Sequence, residues 1–84
     1  KYRSHKTHER KYRKLFDYYS AEEVDFLTKS KHQPPDLFVY RGKHHFFVEV
    51  KRDTDILSKS QRKFFQEIER KLRSKVYVYH LSGK

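Results

Sequence analysis

Pro35-Asp36-Leu37-Phe38-Val39-Tyr40 and Phe47-Val48-Glu49-Val50-Lys51 are two short apolar runs, each carrying an acid, separated by a turn at Arg41-Gly42-Lys43. Both runs are β-branched or aromatic and of strand length, which predicts a hairpin of about 36–41 and 44–51. A two-residue loop at Gly42-Lys43, with glycine first, suits a type II′ turn. It opposes Arg41 to His44 and, counting outward, Asp36 to Glu49. Opposed Cβ atoms lie roughly 4.5–5.5 Å apart, and like charges so placed destabilise a sheet unless something positive lies between them. A divalent cation shared by the two carboxylates meets that need. Alternation along the strand turns Glu49 and Lys51 to the same side. A three-residue loop would instead shift the register by one and set Asp36 on the diagonal, still within reach of a shared metal. Alone, Glu-x-Lys on a strand reads as solvated charge; Pro-Asp at this distance on the partner strand changes that reading.

Length sets the scale of what can surround the hairpin. With 84 residues there is one domain, 1–84, and one modest core. Seven Tyr and seven Phe supply that core despite a charged fraction of 38%, so the chain reads as folded. No apolar run reaches the length of a membrane span. The lack of cysteine excludes disulfides and a thiolate metal site, and fits an intracellular protein. Lys1 is not a translation start, so the chain reads as a cut or trimmed domain. A net charge of +10 points to a polyanionic partner. Because no strongly apolar face accompanies the cations, nucleic acid is favoured over a membrane surface.

Residues 2–19 read as a basic amphipathic helix, with Tyr12, Leu15, Phe16 and Tyr19 at helical spacing toward the core. Ser4 or Thr7 would cap it. Its lone acid, Glu9, falls on the buried side. Either it pairs with Arg13 one turn on, or it is a third carboxylate aimed at Asp36 and Glu49. Val24 to Leu27 reads as a first strand. Pro34-Pro35 enforces an extended approach to the hairpin. Since Glu49 has apolar neighbours on both sides, its strand is expected to be covered on both faces. Ser58-Lys59-Ser60-Gln61 matches a capping box for a helix to about Ser74, with Phe64, Phe65, Ile68 and Leu72 inward. Val76 to Leu81 alternates as a last strand, and the intervening helix implies that it runs parallel to its predecessor. None of the six histidines is assigned to catalysis; His5 and His8, one helical turn apart, have a spacing that could bind zinc, and solvated basic residues are the preferred reading.

Pro35-Asp36, twelve intervening residues, then Glu49-Val50-Lys51, in an α-β-β-β-α-β order, resembles the PD-(D/E)xK nuclease superfamily. With Leu57-Ser58-Lys59-Ser60-Gln61 after the lysine, residues 34–81 are closer still to the virus-type replication-repair nuclease (VRR-NUC) domain. Gln33-Pro34 stands where many members have glycine. The resemblance implies a restriction-endonuclease-like α/β core, a mixed sheet flanked by helices. It implies a Mg²⁺- or Mn²⁺-dependent endonuclease acting on DNA, with no small-molecule cofactor. Asp36, Glu49 and the Val50 carbonyl would hold the metal, and Lys51 would activate water and stabilise phosphate charge. Gln61 would sit near Lys51, and Glu9 matches the family's acid on the first helix. Small domains of this superfamily include Holliday-junction resolvases that act as symmetric dimers, which makes branched DNA the expected partner and a homodimer the expected state. Lys6, Arg10, Arg13, Lys31, Arg52, Lys59, Arg62 and Lys63 would contact the nucleic-acid backbone without reading bases. A catalytically silent nucleic-acid-binding domain of the same fold is the alternative reading.

Overall fold

In the computed structural model, four strands, two α-helices and one 3-10 helix follow the order β1 (Arg3–Lys6), 3-10 helix (Arg13–Asp17), α1 (Ala21–Thr28), β2 (Leu37–Arg41), β3 (His44–Arg52), α2 (Lys59–Leu72) and β4 (Val76–Leu81). The residues described are 2–6, 13–52 and 54–81, with the side chains of 5 and 6 left aside. The strands form one sheet in the order β1-β2-β3-β4. β1 and β3 each run antiparallel to β2, and β4 runs parallel to β3. The fold is thus a small α/β domain with a mixed sheet.

The hairpin has the predicted register, with Arg41 paired to His44 and Leu37 to Val48. Gly42 takes φ +59° and, among the described residues, only Arg73 shares a positive φ. Positive φ at the first loop residue and not the second is the signature of the type II′ turn. α2 also starts as predicted. The Ser58 Oγ accepts from the Gln61 N–H, and the Gln61 side chain accepts from the Ser58 N–H. β4 occupies the predicted residues and direction.

The first third departs from the sequence reading. Where a helix over 2–19 was expected, residues 3–6 form an edge strand on β2 and residues 13–17 a 3-10 helix. Tyr12 and Glu9 lie outside the described residues. Leu15 and Tyr19 are buried as expected, but Phe16 is 54% exposed. The Tyr18 N–H bonds back to the Leu15 carbonyl, a tighter three-residue turn that swings Phe16 away from the core. Val24 to Leu27, read as a strand, lies within α1. The Ser20 Oγ accepts from the Glu23 N–H while Glu23 Oε1 accepts from the Ser20 N–H. That capping box, with Glu22 and Glu23 in the positive first turn, starts a helix that buries Val24 and Leu27 on one side.

The core fills the space between α1, α2 and one face of the sheet. Phe38 and Phe47, directly opposed on β2 and β3, meet Leu27, Phe64, Phe65, Ile68 and Leu72. Among the described residues, helical packing covers this face only. On the reverse face of the sheet Phe46, Val48 and Val50 are half-buried, and Tyr77 and Tyr79 are exposed. Among the described residues the expected helical cover on both sides of β3 is found on one, where α1 and α2 pack side by side, Phe26 against Phe64. At the end of α2 a polar knot closes the layer. The Tyr19 hydroxyl bonds both Ser74 Oγ and His45 Nδ1, and burial pushes the Tyr19 hydroxyl up to about 12.

With a core this small, single truncations weigh heavily. Ile68 is fully buried, so Ile68→Ala should lower the unfolding free energy by about 2–5 kcal/mol, read by urea denaturation.

Candidate active site

The chemistry-bearing residues gather at the end of the hairpin away from its turn. Pro35 is buried and holds the chain extended into β2. Asp36 follows it, one step beyond the last ladder pair Leu37–Val48, so the register brings it opposite Glu49. Two hydrogen bonds join the positions. The Asp36 N–H donates to Glu49 Oε1 at 3.2 Å, and the Val50 N–H donates to Asp36 Oδ2 at 2.9 Å. A strand residue's N–H and C=O leave on the same side. The Val50 carbonyl therefore faces the same edge as its N–H, toward Asp36.

Glu49 is only 6% exposed. Burial first, then the neighbouring Asp36 carboxylate, push its carboxyl above the usual range, while Lys51 pulls the other way. The Lys51 Nζ lies 3.3 Å from Glu49 Oε2. It also donates to Gln61 Oε1 at 3.3 Å. That Gln61 oxygen is the one that accepts from the Ser58 N–H. The helix cap thus doubles as a fixed stop for the lysine. Asp36, Glu49, Lys51 and Gln61 form one continuous polar chain from β2 through β3 to the start of α2.

Two acids this close, one of them buried, are costly when both are ionised. Asp36 accepts one hydrogen bond, and Glu49 accepts one and pairs with Lys51, so each still carries lone pairs. Two carboxylates and a backbone carbonyl on one edge are the oxygen donors that a hard divalent ion takes, so the residues present fit such an ion. Among the described residues no group of three or more acidic, histidine or cysteine side chains converges. Glu9, the expected third acid, lies outside them.

Of the expected backbone contacts, Lys59, Arg62 and Lys63 are exposed on the first turns of α2, beside Gln61. Arg52 is exposed at the end of β3, on the face opposite to Lys51. Arg13 and Lys31 are exposed before α1 and β2 respectively. Lys6 closes β1, and Arg10 lies outside the described residues. One residue escaped the sequence reading. The parallel register sets His80 of β4 beside Lys51, on the same face. Only the β3–β4 register reveals that neighbour, and no sequence spacing encodes it.

A mixed α/β sheet with Pro-Asp leading into one strand and Glu-x-Lys on its antiparallel neighbour defines a PD-(D/E)xK-like, nuclease-type domain. The family model for the VRR-NUC domain matches residues 5–83, almost the whole chain, and the chain belongs to that family. No curated protein and no solved structure gives a significant match. Membership makes nucleic acid the substrate class and divalent metal the usual cofactor class of the family. Among the described residues, no helix is long and apolar enough to cross a membrane.

The causes of the Glu49 shift can be separated by ¹³C NMR titration of the metal-free domain. Asp36→Asn removes a like charge and should move the Glu49 titration down; Lys51→Met removes its cation and should move it up. The linkage has a definite sign. The folded chain holds the Glu49 proton more tightly than the unfolded chain does. The associated stability is therefore fully present below the ordinary glutamate range and is lost as pH rises through the raised folded value.

Proposed function

We propose that this domain is a Mg²⁺- or Mn²⁺-dependent endonuclease that hydrolyses phosphodiester bonds in DNA and selects branched structures such as the four-way junction. The observation that carries this is the opposed Asp36–Glu49 pair with Lys51 held beside it. Asp36, Glu49 and the Val50 carbonyl would hold the ion. When bound, it lowers the pKa of a coordinated water and offsets charge on the phosphate. The chain's own groups do the rest. Glu49 anchors the Lys51 ammonium from one side and Gln61 from the other, so its charge is fixed before substrate arrives. From there it orients the water and stabilises the charge that builds on the phosphate oxygens as the new P–O bond forms and the ester bond breaks. The attacking water gives up its proton to solvent, and the departing alkoxide takes one from solvent. Lys59, Arg62 and Lys63 grip the backbone without reading bases, so selectivity falls on shape.

A four-way junction needs two linked cuts, and one chain carries one site. A homodimer is therefore part of the proposal, as is an intracellular setting where the substrate resides.

With Mg²⁺ or Mn²⁺ the intact domain should nick plasmid and branched DNA. Asp36→Ala and Glu49→Ala should abolish cleavage while keeping most DNA binding, and Lys51→Ala should slow it by about 10²–10³-fold. Undiminished binding with no cleavage under either metal would leave the catalytically silent reading instead. A sedimenting monomer that resolves junctions symmetrically would refute the dimer.

The same ligands predict a thermal signature. Divalent ions should raise the Tm of the intact domain and not of Asp36→Ala. Because Glu49 must lose its proton to ligate, that gain should fade on acidification at a pH above the ordinary glutamate range.

A further inference from the structure

The sheet has a second face, and nothing in the active-site chemistry uses it. Side chains at even positions of β3 and odd positions of β4 point away from α1 and α2. Tyr77 and Tyr79 are 53% and 59% exposed there. Tyr77 meets Phe46 edge-on at 5.3 Å, and Phe46 meets Tyr2 at 5.8 Å, so the rings run continuously from β4 across the sheet toward its β1 edge. Tyr2 is itself 48% exposed, and the Arg41 guanidinium lies 5.7 Å from its ring centre. Arg52 stands at the opposite end of the face. No acid occupies a strand position on this face among the described residues; Asp36 and Glu49 both belong to the other.

Water-exposed rings in a row are costly in a monomer unless something covers them. The chemistry of the face selects the occupant. Flat π-surfaces framed by guanidinium groups, with no carboxylate, suit unpaired bases on a phosphate backbone. A second copy suits the face less well. Two-fold pairing of one patch with itself would bring its cations toward the same cations of the partner, with no acid on either side to meet them. Tyr77 and Tyr79 stand two residues apart, about 6.6 Å along the strand, so each ring can receive a separate base.

We infer that this face is a stacking platform for a single-stranded segment of nucleic acid, with Tyr77 and Tyr79 as its principal rings and Arg41 and Arg52 as its phosphate contacts. The inference does not depend on cleavage. Its platform lies behind the Asp36–Glu49 edge, and Arg52, next in sequence to Lys51, would receive a strand that leaves the active-site end of the sheet.

The test is fluorescence anisotropy in EDTA, with a labelled oligothymidine and an abasic strand of equal length and charge. The intact domain should bind the base-bearing strand more tightly. Tyr77→Ala and Tyr79→Ala should each weaken oligothymidine binding at least about fivefold and leave abasic binding unchanged. Tyr77→Phe and Tyr79→Phe should bind nearly as the intact domain does. Circular dichroism of each variant reports folding. Equal affinity for the two strands, or alanine variants that bind oligothymidine normally, would overturn the inference. So would sedimentation showing a dimer that Tyr77→Ala dissociates, since the face would then belong to a second copy. Cleavage plays no part in this readout, so its failure leaves the nuclease reading standing, and the reverse also holds.

Discussion

The two-residue turn at Gly42-Lys43 is the constraint on which the rest depends. Because side chains alternate with a period of two, a slip of one residue would send every second side chain of β3 to the wrong face. With the turn in place, Phe38 opposes Phe47 in the core and Asp36 meets Glu49 at the open end. One register therefore sets both the packing and the acid pair. Gly42 can hold φ +59° without the penalty that a Cβ would bring. The charged edge is held against its own repulsion by the Lys51 ammonium beside Glu49 and by the fully buried Phe pair behind it.

The second element of the site is less obvious and equally physical. A capping box ordinarily serves its own helix, satisfying amides that have no partner in the first turn. Here the Gln61 oxygen that returns to the Ser58 N–H also accepts from Lys51. The lysine is thereby held from outside its own strand, by a helix that is anchored in the core through Phe64, Phe65 and Ile68. Burial of Glu49 works in the same direction. A carboxylate that water cannot solvate well favours a nearby cation, whether the Lys51 ammonium or a metal ion. The Glu49 carboxyl is raised by that burial first and by the Asp36 carboxylate second, with Lys51 opposing both.

The hairpin, α2 and β4 were legible because each carries its own local signal: strict alternation, a glycine-first turn, and a Ser-x-x-Gln cap before a helical stripe. The first third carries weaker or conflicting ones. Leu15, Phe16 and Tyr19 have helical spacing, yet a 3-10 turn satisfies two of the three. The β1 stretch Arg3-Ser4-His5-Lys6 has no apolar alternation at all, and its strand identity comes from pairing to β2. Val24 to Leu27 is too short for its period to separate strand from helix. The decisive signal there was Ser20-Ala21-Glu22-Glu23, a second capping box four residues upstream of the apolar pair. At the candidate site, the juxtaposition of Asp36, Glu49, Val50, Lys51 and Gln61 was readable, because hairpin geometry and one cap relate them. His80 was not, because its place beside Lys51 depends on a long-range parallel register.

The sheet's two faces divide the labour that one domain of this size must do. Among the described residues, the ten-residue buried core lies between the helices and one face of the four-stranded sheet, and the other face carries half-buried and exposed side chains. What matters is how the sequence fills it. More aliphatic surface there than Leu81 already exposes would invite self-association; acids there would repel the substrate that the family acts on. Tyrosines with flanking arginines avoid both. They remain soluble through their hydroxyls and present π-surfaces, at the cost of leaving the sheet thinner and the fold less stable. Lys51 and Arg52, adjacent in the chain and on opposite faces, put a cation on each side of the same strand end. A polyanion approaching that end meets positive charge on either side, so both faces favour one partner even though only one of them carries the acids.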